Sequence, residues 1–239
     1  MRKFVDLHLR APINDLKQVE RMVNLSAELG YNMVGIPLPP NISQERIRQI
    51  NEICSEVRVE FVTRVDLMPK TSGELLNNLG HLRRKFEIVS VACASKNVAR
   101  QAAKDRRVDL LSPCLTFPCK RFFDYAEAEL ASKKMVSFEI DMALILSSTG
   151  FPRIRLLSSL RKEAAVARKF DIPITISSGA SDENLLRSPH DYLALATLFD
   201  LSESYALQAL SDNPLSIVER NRAKLSPYYV APGVRIVEK

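Results

Sequence analysis

Between Phe4 and Arg10 apolar and polar residues alternate, with Val5, Leu7 and Leu9 on one parity and Asp6, His8 and Arg10 on the other. A period of two is a strand signature, and it predicts one apolar face and one face carrying an acid, an imidazole and a guanidinium. The period then changes. Leu16, Val19, Met22, Val23, Leu25 and Leu29 recur at helical spacing after a cap at Asn14 or Asp15, and Gly30 closes the run. Residues 31–36 predict a second strand, stopped by Pro37, Pro39 and Pro40, and Ser43 caps a helix with Ile47, Ile50 and Ile53 on one side. Residues 57–67 predict a strand with Glu60, Arg64 and Asp66 on its polar parity. The alternation continues with helices at 74–84, 95–105, 121–132 and 156–170 and strands at 88–93, 108–111, 135–140 and 172–177. After a turn at Ser178-Gly179-Ala180 the pattern is helical only, at 191–199, 202–210 and 215–224, the last with Pro214 at its start.

Seven short strands, each followed by a helix, predict an α/β fold with a parallel sheet covered by helices. The expectation is a distorted TIM-barrel-like domain of about seven strands, closed or nearly closed, with extra C-terminal helices, over residues 1–239 as a single domain. A doubly wound sheet is the alternative, but no G-x-G-x-x-G follows any strand and the seven glycines are scattered. The absence of a long apolar run and of a charged-then-apolar leader predicts a cytoplasmic chain without a membrane partner. Four cysteines without a C-x-x-C pair favour buried thiols; Cys114 and Cys119 are the only close pair.

Charge changes this picture through its location. The net charge is +6, and between His81 and Lys134 twelve Lys/Arg face six Asp/Glu, so the whole excess lies in that segment. An anionic partner follows. Lys96, Arg100 and Lys104 repeat every four residues and form a stripe about 12 Å long on one helix face, extended by Arg106 and Arg107. Lys120 and Arg121 follow one strand end, Arg153 and Arg155 follow a later one, and ends of barrel strands share a rim, so together these positions predict a continuous surface for a polyanion. Phe117, Phe122, Phe123 and Tyr125 are interleaved there, for core packing or for base stacking.

The polar parity of the strands offers a second candidate: Asp6, His8, Arg10, Arg64, Asp66, Ser90, Ser112, Glu139, Asp141, Ser177 and Ser178, directed to the barrel interior or its mouth. One reading is a catalytic mouth. The other is an internally neutralised core, in which Arg10 and Arg64 pair with Asp6, Asp66 or Glu139. Only three histidines, His8, His81 and His190, are present, so a multi-metal site lacks ligands, although Asp6, His8 and a later acid could hold one metal. A metabolic barrel enzyme with an anion at the 177–180 turn stays open as well.

From residue 174 onward the chain is recognisable. Ile176-Ser177-Ser178-Gly179-Ala180, Leu185-Leu186-Arg187-Ser188-Pro189-His190-Asp191, Leu198-Phe199-Asp200-Leu201-Ser202 and Ala209-Leu210-Ser211-Asp212-Asn213-Pro214 resemble the ribonuclease P protein component 3 family, the thirty-kilodalton subunit of archaeal and eukaryotic RNase P. Val108-Asp109-Leu110-Leu111-Ser112-Pro113, Phe138-Glu139-Ile140 and Phe4-Val5-Asp6-Leu7-His8 extend the resemblance to nearly the full length. It implies a PHP-like barrel related to metal-dependent phosphoesterases but without catalysis or a bound metal of its own. It also implies assembly with the RNase P RNA, and through it precursor tRNA, and with a small α/β protein subunit as a heterodimer or heterotetramer. In that complex the RNA, with its Mg2+, removes the 5′ leader of the precursor tRNA. Arg10 stands where a phosphoesterase would carry a second histidine, and the absence of a long charged tail points to an archaeal type. A phosphoesterase using Asp6, His8, Asp66 and Glu139 is the alternative.

Overall fold

The computed structural model describes residues 2–112, 123–231 and 234–235. Seven strands, β1 (Val5–Asp6), β2 (Met33–Pro37), β3 (Glu60–Leu67), β4 (Ile88–Ala92), β5 (Leu110–Ser112), β6 (Ser137–Asp141) and β7 (Ile174–Ser177), form one parallel sheet in sequence order. Parallel neighbours require a crossover, and helices supply it: α1 (Leu16–Glu28), α2 (Gln44–Glu56), α3 (Ser72–Leu82), α4 (Lys96–Lys104), α5 (Tyr125–Ser132), α6 (Met142–Ser147) and α7 (Gly150–Lys169). Their starts are set by side chains that accept a backbone N–H two or three residues on, among them Asp15, Ser43, Thr71, Ser95 and Asp124. Three more helices follow, α8 (Pro189–Ala196), α9 (Glu203–Leu210) and α10 (Asp212–Leu225). The antiparallel pair β8 (Tyr229–Ala231) and β9 (Val234–Arg235), which no sequence pattern announced, comes last.

The sheet curls until its edges meet. Between β1 and β7 there is no ladder; instead Arg10 N–H donates to the Ala180 carbonyl at 2.9 Å, Ser178 N–H to Asp6 Oδ1 at 2.9 Å and Ser178 Oγ to the His8 carbonyl at 3.2 Å. The result is a seven-stranded, nearly closed barrel ringed by helices, the architecture expected for alternating βα units.

Two apolar layers follow from the register. Outside, the second faces of the strands pack on the helices, as Val34, Phe138 and Ile174 do. Inside, Val5, Leu7, Met33, Val62, Ile88 and Leu110 form a separate cluster with Ile217 and Val218 of α10. That helix therefore lies across the N-terminal ends of the strands and plugs the barrel base, and Ile217 and Val218 each contribute roughly 1.5–3 kcal/mol. Polar strapping fixes it in place. Asn213 Nδ2 donates to the Ile174 carbonyl and Asn221 Nδ2 to the Glu87 carbonyl, both at 2.8 Å, while Arg222 reaches Glu87 at 2.6 Å and Glu60 at 2.8 Å.

The first strand departs from its predicted alternation. Val5 pairs with Met33 and Asp6 with Val34, which places Asp6 on the helix side of the sheet. The chain bends at Leu7 and resets the parity, so that His8 and Arg10 reach the barrel mouth while Asp6 does not. Gly35 permits the bend, because a Cβ there would sit 2.6 Å from the Leu7 carbonyl oxygen.

Candidate functional site

The barrel interior above the apolar plug is a connected ionic network. Arg64 is fully buried, and its guanidinium donates from Nη1 to Glu139 Oε1 at 2.6 Å, from Nη2 to Glu139 Oε2 at 2.8 Å, from Nε to Asp66 Oδ1 at 2.7 Å and from Nη1 to the Leu7 carbonyl at 2.8 Å. Glu139 also accepts from Ser177 Oγ at 2.8 Å and from Ser112 Oγ, which in turn meets Ser90 Oγ. Burial alone would raise the Glu139 carboxyl, but the Arg64 charge and its two hydrogen bonds reverse that and leave it below the usual carboxylate range. Asp66 behaves alike: burial works against its charge, yet Arg64 and His8 hold it well below its ordinary value. Arg64 is pushed further up by these two acids than burial lowers it.

At the mouth, His8 Nε2 lies 3.1 Å from Asp66 and Nδ1 lies 3.7 Å from Asp141, with neither ring nitrogen making a well-aligned hydrogen bond. Asp141 is buried, caps α6 by accepting from Ala143 N–H at 3.0 Å, and faces Arg10 at 3.8 Å. Arg10 donates from Nε to the Gly179 carbonyl at 2.5 Å. Burial raises both Asp141 and Asp6; for Asp6 the hydrogen bonds of Ser178 and His8 oppose it without overcoming it.

This placement separates the predicted interior set. Arg64, Glu139, Ser177, Ser112 and Ser90 converge in the interior, and Asp66, His8, Arg10 and Asp141 at its mouth. Asp6 and Ser178 do not belong there: they bond to each other in the β1–β7 seam, and the predicted pairing of an arginine with Asp6 gives way to the Asp141 contact. The donors for a metal do not fit either. Glu139 and Asp66 are committed to Arg64, Asp6 points elsewhere, and Arg10 brings a positive charge to the mouth. Among the described residues no three His, Cys, Asp or Glu side chains converge as a metal would need.

The basic stripe does form. Val98, Ala99, Ala102 and Ala103 bury one side of α4, so Lys96, Arg100 and Lys104 are left exposed on the other. Lys96 lies 3.8 Å from Asp124 and Arg100 3.3 Å from Glu127, and neither contact is a hydrogen bond. The Lys96–Asp124 pair is half-exposed on both sides and worth roughly 0–1 kcal/mol, so a phosphate can replace that carboxylate at little cost, whereas Arg100 lies over a buried Glu127. Arg106 is exposed in the turn before β5, whereas Arg107 is clamped to Asp105 through Nε at 2.9 Å and Nη2 at 2.7 Å.

The predicted shared rim is altered by α7, which begins at Gly150 rather than near residue 156. Arg153 thus lies in a helix and turns back to the Ser148 and Leu146 carbonyls at the end of α6, a short helix the sequence pattern missed; Arg155 stays exposed. Lys120 and Arg121, predicted to join these positions to the stripe, lie outside the described residues, as do Phe117, Phe122, Cys114 and Cys119. Phe123 stacks on Phe138, which settles it as core. Tyr125 is exposed and meets Phe170 edge-on.

Sequence reasoning passed over a second basic region at the barrel base. Asp109 is buried and accepts from Val89 N–H at 2.9 Å, and it is held between Arg83 at 3.2 Å and Arg220 at 3.0 Å. Burial lowers the nearby Lys224 ammonium, and Arg220, Arg83 and Arg106 lower it further against the opposing pull of Asp109. The signal was present as Arg220 and Lys224, four apart on one helix.

A family model described as RNase P subunit p30 matches residues 3–226. The chain is 31% identical over 237 residues to ribonuclease P protein component 3 of Methanosarcina barkeri, covering 99% of this chain and 97% of that protein. It is 27% identical over 241 residues to the protein of the same name from Methanothermobacter thermautotrophicus, covering 98% and 96%. Among solved structures it is similar, with a TM-score of 0.85, 22% identity and 98% of each chain covered, to a chain of an archaeal ribonuclease P with mature tRNA. A putative prolidase from Bifidobacterium longum shares the fold at a TM-score of 0.57 and 10% identity, covering 92% of this chain and 70% of that one.

Proposed function

The chain belongs to the RNase P subunit p30 family, and from that premise we propose that it is the protein component that supports the RNA of ribonuclease P while this RNA removes the 5′ leader of precursor tRNA. The observation that carries the reading is the family match over residues 3–226, which spans the barrel and the plugging helix α10. The interior chemistry agrees with it: the acids a hydrolase would use are spent on Arg64, so the barrel acts as a scaffold and its outer surface as the working part.

The mechanism is electrostatic. Packing of RNA helices is opposed by phosphate repulsion, and cations fixed on a rigid protein lower that repulsion and reduce the Mg2+ the RNA needs. Lys96, Arg100, Lys104 and Arg106 provide such cations, with Arg155 on α7 and Lys120 and Arg121 as further contacts. No cofactor of the chain's own enters; the Mg2+ belongs to the catalytic RNA. A small α/β protein subunit joins it as a heterodimer or heterotetramer, a reading supported by Phe151 and Ile154, which α7 leaves 80% and 62% exposed. No helix among the described residues is long and apolar enough to cross a membrane.

Reconstituted cleavage of precursor tRNA is the direct test. Leaving this chain out of the assembly at limiting Mg2+ lowers the rate several-fold, and an unchanged rate rejects the reading. The stripe has its own measurement: Lys96→Glu, Arg100→Glu and Lys104→Glu together weaken binding to the RNA and flatten the plot of log K against log salt by about two to three. A slope equal to that of the unaltered protein removes the stripe from the interface.

A further inference from the structure

Three successive helix-to-strand turns carry basic clusters: Arg83-Arg84-Lys85 before β4, Arg106-Arg107 before β5 and Lys133-Lys134 before β6. In a parallel barrel all such turns lie at one end, the base, opposite the mouth where His8 and Asp141 sit. The end of α10 crosses the same base and adds Arg220 and Lys224.

Two hollows open there. One, of about 520 Å³, is lined by Arg83, Arg84, Lys224, Ser226 and Tyr229. The other, of about 680 Å³, is lined by Gln101, Lys104, Asp105, Arg106, Arg107 and Lys134. Arg106 lines the second and its charge is felt by Lys224 in the first, which places both at the same end of the barrel.

Internal pairing leaves the region strongly positive. Asp109 is one carboxylate against two guanidiniums, Arg83 and Arg220, while Arg107 is neutralised by Asp105 and Arg222 is met by Glu60 and Glu87. Among the described residues Arg84, Arg106 and Lys224 have no carboxylate at ion-pairing distance. Cations packed this closely repel one another, and the fold holds them together through Asp109 without neutralising them. Guanidinium forks suit phosphate oxygens, and Tyr229 adds an aromatic face beside them.

We propose that the barrel base, formed by the 83–84, 106–107 and 134 turns and the end of α10, is a phosphodiester-binding surface that takes a stretch of RNA backbone. This inference rests on the RNase P reading and extends it to the barrel base, which meets the exposed face of α4 at Lys104 and Arg106 and reaches beyond it through Arg84, Lys134 and Lys224. An acidic protein face is the competing occupant. It fits less well, because the cations line two hollows and four of them are arginines, whose forks match phosphate oxygens.

The test replaces Arg84, Arg106 and Lys224 by Gln together and leaves Arg83 and Arg220, which hold Asp109, untouched. Binding of the full chain to transcribed RNase P RNA is measured across a salt series, with Arg84→Gln alone as a second variant on an exposed side chain and circular dichroism as the check of folding. Each lost phosphate contact costs about five-fold in affinity near 0.15 M salt, so the triple variant binds roughly a hundredfold more weakly, with a salt slope about two to three units flatter. Arg84→Gln gives about one unit. An unaltered slope in both variants overturns the proposal while the family reading stands, and so does unchanged RNA affinity accompanied by lost association with a protein subunit. Failure of the unaltered chain to bind the RNA at all overturns the function and the base surface together.

Discussion

Arg64→Met destabilises the protein by about 3–5 kcal/mol, because it leaves the buried Glu139 carboxylate without its partner in a place water does not reach. The two remaining donors, Ser112 and Ser177, are hydroxyls and cannot offset a full charge. Urea unfolding followed by circular dichroism measures the loss, and its pH dependence identifies the cause. In the unaltered protein the Glu139 carboxyl is held below its ordinary value of 4.5. Its contribution is therefore present above that pH and is lost as pH falls through the folded value. Without Arg64, burial outweighs the serine hydrogen bonds and the His8 charge and raises the same carboxyl. The contribution is then complete below 4.5 and is lost as pH rises through the new value, so the variant tolerates acid better than neutrality. Adding Glu139→Gln recovers much of the stability, since a neutral amide retains the serine contacts. A variant that loses stability equally at every pH points to a packing defect and removes the charge argument.

Gly179→Ala produces a loss of similar size at the mouth. Gly179 has φ of +61°, and a Cβ there would collide with the Asp141 carboxylate. The left-handed backbone alone costs an alanine roughly 1 kcal/mol. Displacement of Asp141, which caps α6 and faces His8 and Arg10, costs more. Together they amount to about 3 kcal/mol or more, seen as a lower unfolding midpoint in urea. Partial relief from adding Asp141→Ala, which removes the obstructing carboxylate, separates this collision from backbone strain. No relief assigns the loss to the backbone.

The sequence disclosed most of the architecture, because alternation between periods of two and 3.6 recurs in every βα unit and capping residues such as Ser43 and Asp15 stand where they act. It misled where one residue changed the register. The alternation from Phe4 to Arg10 is unbroken in the sequence, and nothing in it marks the bend at Leu7, which depends on a glycine in the next strand. Arg64 and Glu139 were legible as an ion pair because a buried charge on one strand demands an opposite charge on another. The base was not legible, since its cations come from three turns and a helix more than eighty residues further on, and only the folded chain brings them together. Arg153 shows the reverse case: a charge that looked available in the sequence is used to end a helix.

The seam between β1 and β7 has a kinetic meaning. The bond from Ser178 to Asp6 joins positions 172 residues apart. Every other contact between neighbouring strands links units adjacent in sequence, so the sheet can grow one βα unit at a time, and only its closure must wait for both ends of the chain. The helix that plugs the base comes from beyond β7 and packs on Val5 and Leu7. Barrel closure and docking of α10 are thus a single late event. A chain still emerging from the ribosome holds an open sheet with Val62, Ile88 and Leu110 uncovered until the last helix has been made.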